Sequence, residues 1–574
     1  MWSLKGPETK VRQPGVIAQP TMKRQDSDTF QRNSSFGDTA MLPVPGDAPV
    51  SKGKGKRIAI IAAAAVLVAG GVTAAIVLSS GNGSGSDANS TSGNKGTNTP
   101  VVSPAKNVTA EDLLGTTNPP APGATTTPAP SPASDPEAGK AALTMLAIGD
   151  WGSTTGKKSG NTLDDAGDPG SCCKTYGGSG ANANKVNPSK ARIKVDFWAQ
   201  LYVSTILAQS AGELKPKPAR VIGHGDNIYW DGAGPGDIAY RMEETFEKKY
   251  AQPALAGIKW VNVAGNHDIG GSEYICGEKD YNFVKCKDTA EMLKYLDLKF
   301  DLQAQYKSPN QDRWLMKDHY YVESVKSEDG SVSVDIFNLD TNHADSHGLQ
   351  QVCCQCYGYS RETKTKCTGN EMPGDANCAG GDKAMFSACQ DKIEGWAKAS
   401  LDGAARDLAK STATYKIINT HYSPHFHMGE PKMLTWYNLT KTYGVHAWFN
   451  GHTHGFNHDV AKWNTHFFEN GGGGGIFTET SSEINNPFVD TLWVAGGNPY
   501  GFMELSFTKD WMKVNFATFD KSWDFGGFNY EETKSGGIAR GHCWYIPSVQ
   551  GTKGVKCKAS NDLPLGAPIM PDNA

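Results

Sequence analysis

Six short apolar runs in this chain close on, or pass into, the same kinds of residue. LTMLAIGD ends at Asp150 and ARVIGHGD at Asp226; WVNVAGNHD carries Asn266, and SVDIFNLDT passes Asp340. YKIINTH ends at His421, and VHAWFNGHTH ends on the pair His452 and His454. Short apolar runs bounded by turn formers read as buried strands. Helical stretches lie between several of them, at Lys190 to Ser210 and Cys389 to Lys410. Strand alternating with helix predicts an α/β fold. After Gly475 the runs YGFMELSF and KVNFATFD read as antiparallel strands.

In α/β sheets, ligands bind outside the carboxyl ends of the strands. Five such ends here bring Asp150, Asp226, Asn266, His421 and the His452/His454 pair to one edge. Hard oxygens mixed with imidazoles suit a first-row metal. Calcium prefers all oxygen, and structural zinc prefers thiolate. Taken singly, GDWG at Gly149 or GDNIY at Gly225 reads equally well as a turn. Four such motifs in order, each after a strand-like run, point to one site.

The rest of the chain has a different texture. Residues 1–57 are polar and aperiodic and read as a disordered cytosolic tail. Ile58 to Leu78 is an unbroken apolar run that, as a helix, spans about 30 Å, one bilayer core. Lys52, Lys54, Lys56 and Arg57 precede it, which predicts a single-pass type II anchor with the remainder extracellular or lumenal. A cleaved signal sequence and a buried core helix are the alternatives, and cleavage would give a secreted form. Residues 79–141 are Ser/Gly-rich, then Thr/Pro-rich, and read as a stalk. Sequons at Asn82, Asn89, Asn107 and Asn438 suggest glycosylation. Residues 142–548 read as the catalytic domain and 549–574 as a C-terminal tail. The 12 cysteines all lie at or beyond Cys172, an even and clustered set that fits an oxidising compartment. A formal net charge of −4 over 574 residues makes no field for nucleic acid, and none is expected as a partner. Nothing in the sequence sets the oligomeric state.

The order GDWG, GDNIY, GNHD, THYSP, GHTH resembles the metallophosphoesterases of the calcineurin-like superfamily. Within them it is most similar to the purple acid phosphatases, in particular the short tartrate-resistant branch. The likeness runs from about Met145 to Trp523 and includes RWLMKDHYYVES and MELSFTKDWMKVNF. It implies a four-layer sandwich of two mixed β-sheets flanked by helices. Most metallophosphoesterases carry Asp-X-His in the first motif, whereas Gly152 stands here, and the family compensates with a tyrosinate at the place of Tyr229. The resemblance implies iron(III) on Asp150, Asp226, Tyr229 and His454. It implies iron(II), zinc or manganese on Asp226, Asn266, His421 and His452. His267 would orient the phosphate or assist the leaving group. A second acid would come from His425 or His427, with His427 preferred, although their spacing from His421 is shorter than the family's.

The implied reaction is hydrolysis of a phosphate monoester by metal-activated hydroxide. A phosphodiesterase or pyrophosphatase of the same fold is the alternative, and a non-catalytic surface binding protein a more distant one. The Cys-rich insertion 353–389 reads as disulfide-bridged rather than zinc-binding and as bordering the substrate opening. Cys172-Cys173 extend a similar loop. His224 reads as a packed strand residue, and His343 and His347 as loop residues that could reach the site rim. The glycines Gly471 to Gly475 read as a turn between strands, with a phosphate cradle as the alternative.

Overall fold

A computed structural model describes residues 108–114, 135–152 except 138, and 193–561. Within the last span it leaves out 230, 271–273, 278–283, 356–370, 377, 480, 498 and 528. The expected tail, the anchor at 58–78, most of the stalk, the sequons at Asn82, Asn89 and Asn107, and Cys172-Cys173 lie outside the described residues. Among the described residues no helix is long and apolar enough to cross a membrane.

Each expected strand forms where the sequence places it. Strands β1 (Leu143–Ile148), β2 (Arg220–Gly223), β3 (Lys259–Asn262) and β4 (Trp314–Leu315) run parallel side by side. A second sheet holds β5 (Tyr320–Lys326), β6 (Ser333–Leu339), β7 (Tyr415–Asn419), β8 (Ala447–Asn450), β9 (Phe456–Ala461), β10 (His466–Asn470) and β11 (Val489–Val494). Its order is β11-β9-β10-β8-β7-β6-β5, with β6, β7, β8 and β10 parallel. The chain then returns to the first sheet. There β12 (Phe502–Phe507) pairs antiparallel with β1, and β13 (Trp511–Phe519), β14 (Ile538–Pro547) and β15 (Val555–Lys556) extend it to eight strands.

Side chains alternate across each strand, so one run serves two cores. Met145 and Ala147 of β1 face the space between the sheets, with Ile417 and Phe449 of the second sheet. Leu146 and Ile148 face outward onto Tyr202, Val203 and Ile206 of helix α1 (Ala199–Glu213). On the far side, Ile418 and Trp448 pack under helices α3 (Lys383–Leu408) and α4 (Glu430–Tyr443). Helix α2 (Thr289–Ala304) covers the first sheet through Met292, Leu296 and Phe300. The result is the helix–sheet–sheet–helix sandwich expected. The helix read from Lys190 begins only at Ala199, after a 3-10 turn at Lys194–Phe197.

Two boundaries differ from the sequence reading. Inside the expected stalk, Ala110–Leu114 is a short helix whose Leu113 is buried against α4, and Lys441 Nζ donates to the carbonyls of Asp112 and Leu113. Burying one leucine is worth about 2 kcal/mol, enough to dock a short segment that composition alone marks as linker. At the other end, β15 pairs with β14 and the Cys543–Cys557 disulfide closes the hairpin. The domain therefore continues past 548 to at least residue 561. Asn438 stands half-buried within α4 and accepts from Thr442, with the sequon's Thr440 fully buried.

Disulfides join Cys276 to Cys286 and Cys353 to Cys389. The second ties the helix Leu349–Gln355 to α3 and is a bridge of the kind expected for the insertion. Cys356 and Cys367 lie outside the described residues.

Candidate metal centre

The parallel strands of both sheets end at one edge, and the loops leaving them carry the donors. Asp150, Asp226, His452 and His454 all take left-handed backbone conformations, with φ of 54°, 52°, 71° and 51°. Such angles are uncommon for these residue types, and strained residues of this kind cluster at functional sites. Here they turn each chain sharply off its strand. Glycines make the turns possible. A Cβ on Gly265 would lie 2.2 Å from Asp226 Oδ1, and one on Gly451 would lie 2.2 Å from Asp150 Oδ2.

Two clusters of donor atoms result. Asp226, His421 and His452 form one, and Asp150, Asp226 and His454 the other; within each, the donor atoms lie within 4.8 Å of one another. Asp226 belongs to both. Its Oδ1 accepts the His267 backbone N–H at 3.0 Å, while Oδ2 is buried and accepts nothing from the protein. An unpartnered carboxylate oxygen at full burial is costly unless a cation sits beside it.

The first cluster has its tautomers set. His421 Nδ1 donates to the His224 carbonyl at 2.8 Å, so Nε2 presents a lone pair. That atom lies 3.0 Å from Asn266 Oδ1 and 3.2 Å from His452 Nδ1. His452 Nδ1 lies 3.1 Å from the same amide oxygen. Three acceptor-capable atoms thus converge on one point, the arrangement a cation stabilises.

In the second cluster the Tyr229 hydroxyl lies 3.2 Å from Asp150 Oδ1 and 3.3 Å from His454 Nε2. Burial, then the charges of Asp150 and Asp226, push this phenol well above its ordinary range. Its ionisation therefore requires a strong cation close by. Gly152 leaves no room for a side chain, because a Cβ there would meet the Asn227 carbonyl carbon and oxygen at 2.3 Å. Burial also raises the Asp150 carboxyl, while the backbone N–H of His452 donates to its Oδ2 at 2.8 Å. Oxygens, imidazoles and a phenol of this kind fit a pair of first-row cations sharing Asp226.

Neighbouring groups hold these donors in place. The Asp268 carboxylate accepts from the backbone N–H of Gly265, Asn227 and Ile228, stitching the second and third motif loops together. The His224 ring sits between Asn419 Oδ1 at 2.6 Å and the Asn470 amide at 3.0 Å, a packed role as expected. The run Gly471 to Gly475 is a buried packing element. The N–H groups of Gly471, Gly473 and Gly475 donate to the carbonyls of Gly455, Gly149 and Asp150, so those amides are not offered to a phosphate.

The remaining histidines divide. The His267 ring lies 4.6 Å from the Tyr229 ring. The His427 ring lies 4.6 Å from that of His452; its Nδ1 accepts from Ser423 N–H, leaving the proton on Nε2, 3.4 Å from Thr453 Oγ1. His425 is not brought to the centre. Its Nε2 lies 3.3 Å from Asp459 and its ring packs on Phe467. Two residues apart in the short helix Pro424–His427, the two rings leave on opposite sides. His343 pairs with Glu394 and Trp436. His347, read from sequence only as a loop residue with some reach to the rim, has its ring 5.7 Å from that of His452.

Two mixed sheets thus end at one edge, where a single carboxylate belongs to both donor clusters. Residues 202–456 match the model of the calcineurin-like phosphoesterase family. The match takes in every donor except Asp150. No curated protein matches the sequence. Among solved structures, the chain is similar to GAP50, the anchor in the inner membrane complex of Plasmodium, at 13% identity and a TM-score of 0.37. The alignment covers 69% of this chain and 89% of that one. For PhoD the values are 11% and 0.37, covering 64% and 71%. For a purple acid phosphatase from yellow lupin seeds they are 12% and 0.33, covering 69% and 53%.

Proposed function

We propose that the domain is an acid phosphatase hydrolysing phosphate monoesters at a binuclear centre. Asp150, Asp226, Tyr229 and His454 would hold iron(III). Asp226, Asn266, His421 and His452 would hold iron(II), zinc or manganese. The observation that carries this reading is the Tyr229 hydroxyl in the second donor cluster, at the position where Gly152 excludes a histidine. When bound, such a pair supplies water acidified toward hydroxide and neutralises phosphoryl charge.

The protein's own groups do the rest. His267 lies beside Tyr229, where its imidazole can hold a phosphoryl oxygen. His427 keeps its Nε2 proton at the edge of the His452 side, where it can donate a hydrogen bond to the departing ester oxygen. The apolar packing around Trp151, against Trp260, Tyr250 and Phe246, fixes the loop that carries Asp150.

The test is the visible absorption spectrum of the purified protein. A broad tyrosinate-to-iron(III) band, lost in Tyr229→Phe, is expected. A colourless but active protein would remove iron(III) from the reading and return Tyr229 to packing. Hydrolysis of 4-nitrophenyl phosphate is expected to exceed that of bis(4-nitrophenyl) phosphate. The reverse order would assign a phosphodiesterase.

A further inference from the structure

His347 sits in a loop that the rest of the fold holds with unusual care. Asp345 and Ser346 donate their backbone N–H groups to the His427 carbonyl at 2.9 and 3.0 Å. The Asp345 carboxylate accepts from Gly429 N–H at 2.6 Å and from Lys432 Nζ at 3.0 Å. Tyr422, whose ring lies 4.3 Å from that of His452, donates its hydroxyl to the His347 carbonyl at 2.9 Å. Directly after the loop comes the helix Leu349–Gln355, which the Cys353–Cys389 disulfide ties to α3.

These ties hold His347 at φ 55°, a left-handed angle that histidine adopts at a cost. Glycine or asparagine fits that backbone more easily. The side chain is half-buried and borders the donor His452. Its ring is 5.7 Å from His452 of one cluster, and the charges of His454 in the other cluster and of His267 both bear on it. An imidazole carries at least one N–H donor in either protonation state.

We propose that His347 is a substrate-contacting residue whose imidazole N–H binds the phosphoryl group beside His452, and that the Cys353–Cys389 disulfide holds it there. The inference rests on the phosphatase reading above. It adds a third histidine to His267 and His427, from a third loop, and gives the disulfide-bridged insertion a role in the site.

The experiment is calorimetric titration of inorganic phosphate into the metal-loaded full chain, with bound metal measured in each variant. His347→Gly relieves the backbone angle and removes the donor. It is expected to weaken phosphate binding about tenfold or more, the value of one hydrogen bond to a charged group. The KM for 4-nitrophenyl phosphate should rise in proportion, with metal content and melting temperature kept. His347→Asn, which tolerates the angle and keeps an N–H donor, should recover most of the affinity. Cys353→Ser with Cys389→Ser should weaken phosphate binding in the same direction. Phosphate affinity in His347→Gly within twofold of the parent, at equal metal content, overturns the proposal, as does a metal-loaded parent that binds no phosphate. Unchanged affinity in the double serine variant overturns the part assigned to the disulfide. A parent that binds phosphate through His347 but hydrolyses no ester would sink the phosphatase reading while leaving this one standing.

Discussion

At the scale of single residues, this centre is built as much by what is missing as by what is present. Gly152, Gly265 and Gly451 leave the space that Asp150, Asp226 and the second-motif backbone occupy. At Gly152 the nearest atoms are all backbone, which cannot rotate aside. A methyl group there must push back the Asn227 carbonyl, on the same loop that carries Tyr229. Gly152→Ala should therefore destabilise the fold by about 1–3 kcal/mol, the usual cost of overpacking, and displace Tyr229. Denaturant titration and the visible spectrum read the two effects separately. A variant of parental stability and colour would show that the loop yields freely. The donors themselves were legible, because each follows an apolar run in a recognisable motif. His347 was not, because its place depends on how far a loop of eight residues reaches after β6. The preference for His427 over His425 had no geometric ground for a related reason: two residues' separation settles which side of a turn each takes only once the turn exists.

At the scale of elements, strands beside those that carry the centre hold a buried row of imidazoles. His458 of β9 bridges His466 of β10 and His542 of β14, at 2.8 Å on each side. Beside them, His446 joins Lys416 N–H to the Ser548 carbonyl. Burial, then the charges of His446 and His542, hold His466 down to about 3, and burial holds His446 at about 4. An imidazole whose pKa in the fold lies below its unfolded value of about 6.5 is protonated first in the unfolded chain. Its contribution to stability is complete above that value and is lost as pH falls toward the folded pKa. The loss is about 1.4 kcal/mol per pH unit for each proton involved. His466→Phe should cost stability at neutral pH by leaving His458 with one partner. It should also flatten the stability curve between pH 6.5 and 3 by about that slope. Chemical denaturation across that range is the check, and an unchanged slope would show that His466 does not titrate on unfolding. The sequence reading singled out none of these three strands and gave no sign that their histidines meet, because β9 and β10 pair in one sheet while β14 belongs to the other.

At the scale of the whole molecule, the centre is where the two sheets are joined. Asp150, Asp226 and Asn266 come from the first sheet, and His421, His452 and His454 from the second. Burial leaves Asp226 Oδ2 without a hydrogen-bond donor from the protein. Removing the cations should therefore lower the melting temperature as well as abolish hydrolysis, and both should return when metal is restored. A chelated protein that melts where the loaded one does would show that the apolar core alone holds the sheets together. The sequence by itself determined the α/β class, most of the strands, and a ligand set at their carboxyl ends, because strand periodicity and turn chemistry are local properties. It determined too little at the boundaries, where Leu113 and the Cys543–Cys557 hairpin pack onto the domain from stretches that composition marks as linker and tail. Only the tertiary structure decided that one carboxylate serves both clusters, that His427 adjoins the centre while His425 faces Asp459, and that His347 joins the rim. Each of those outcomes depends on distances between segments tens to hundreds of residues apart, which are fixed when the sheets pack and not before.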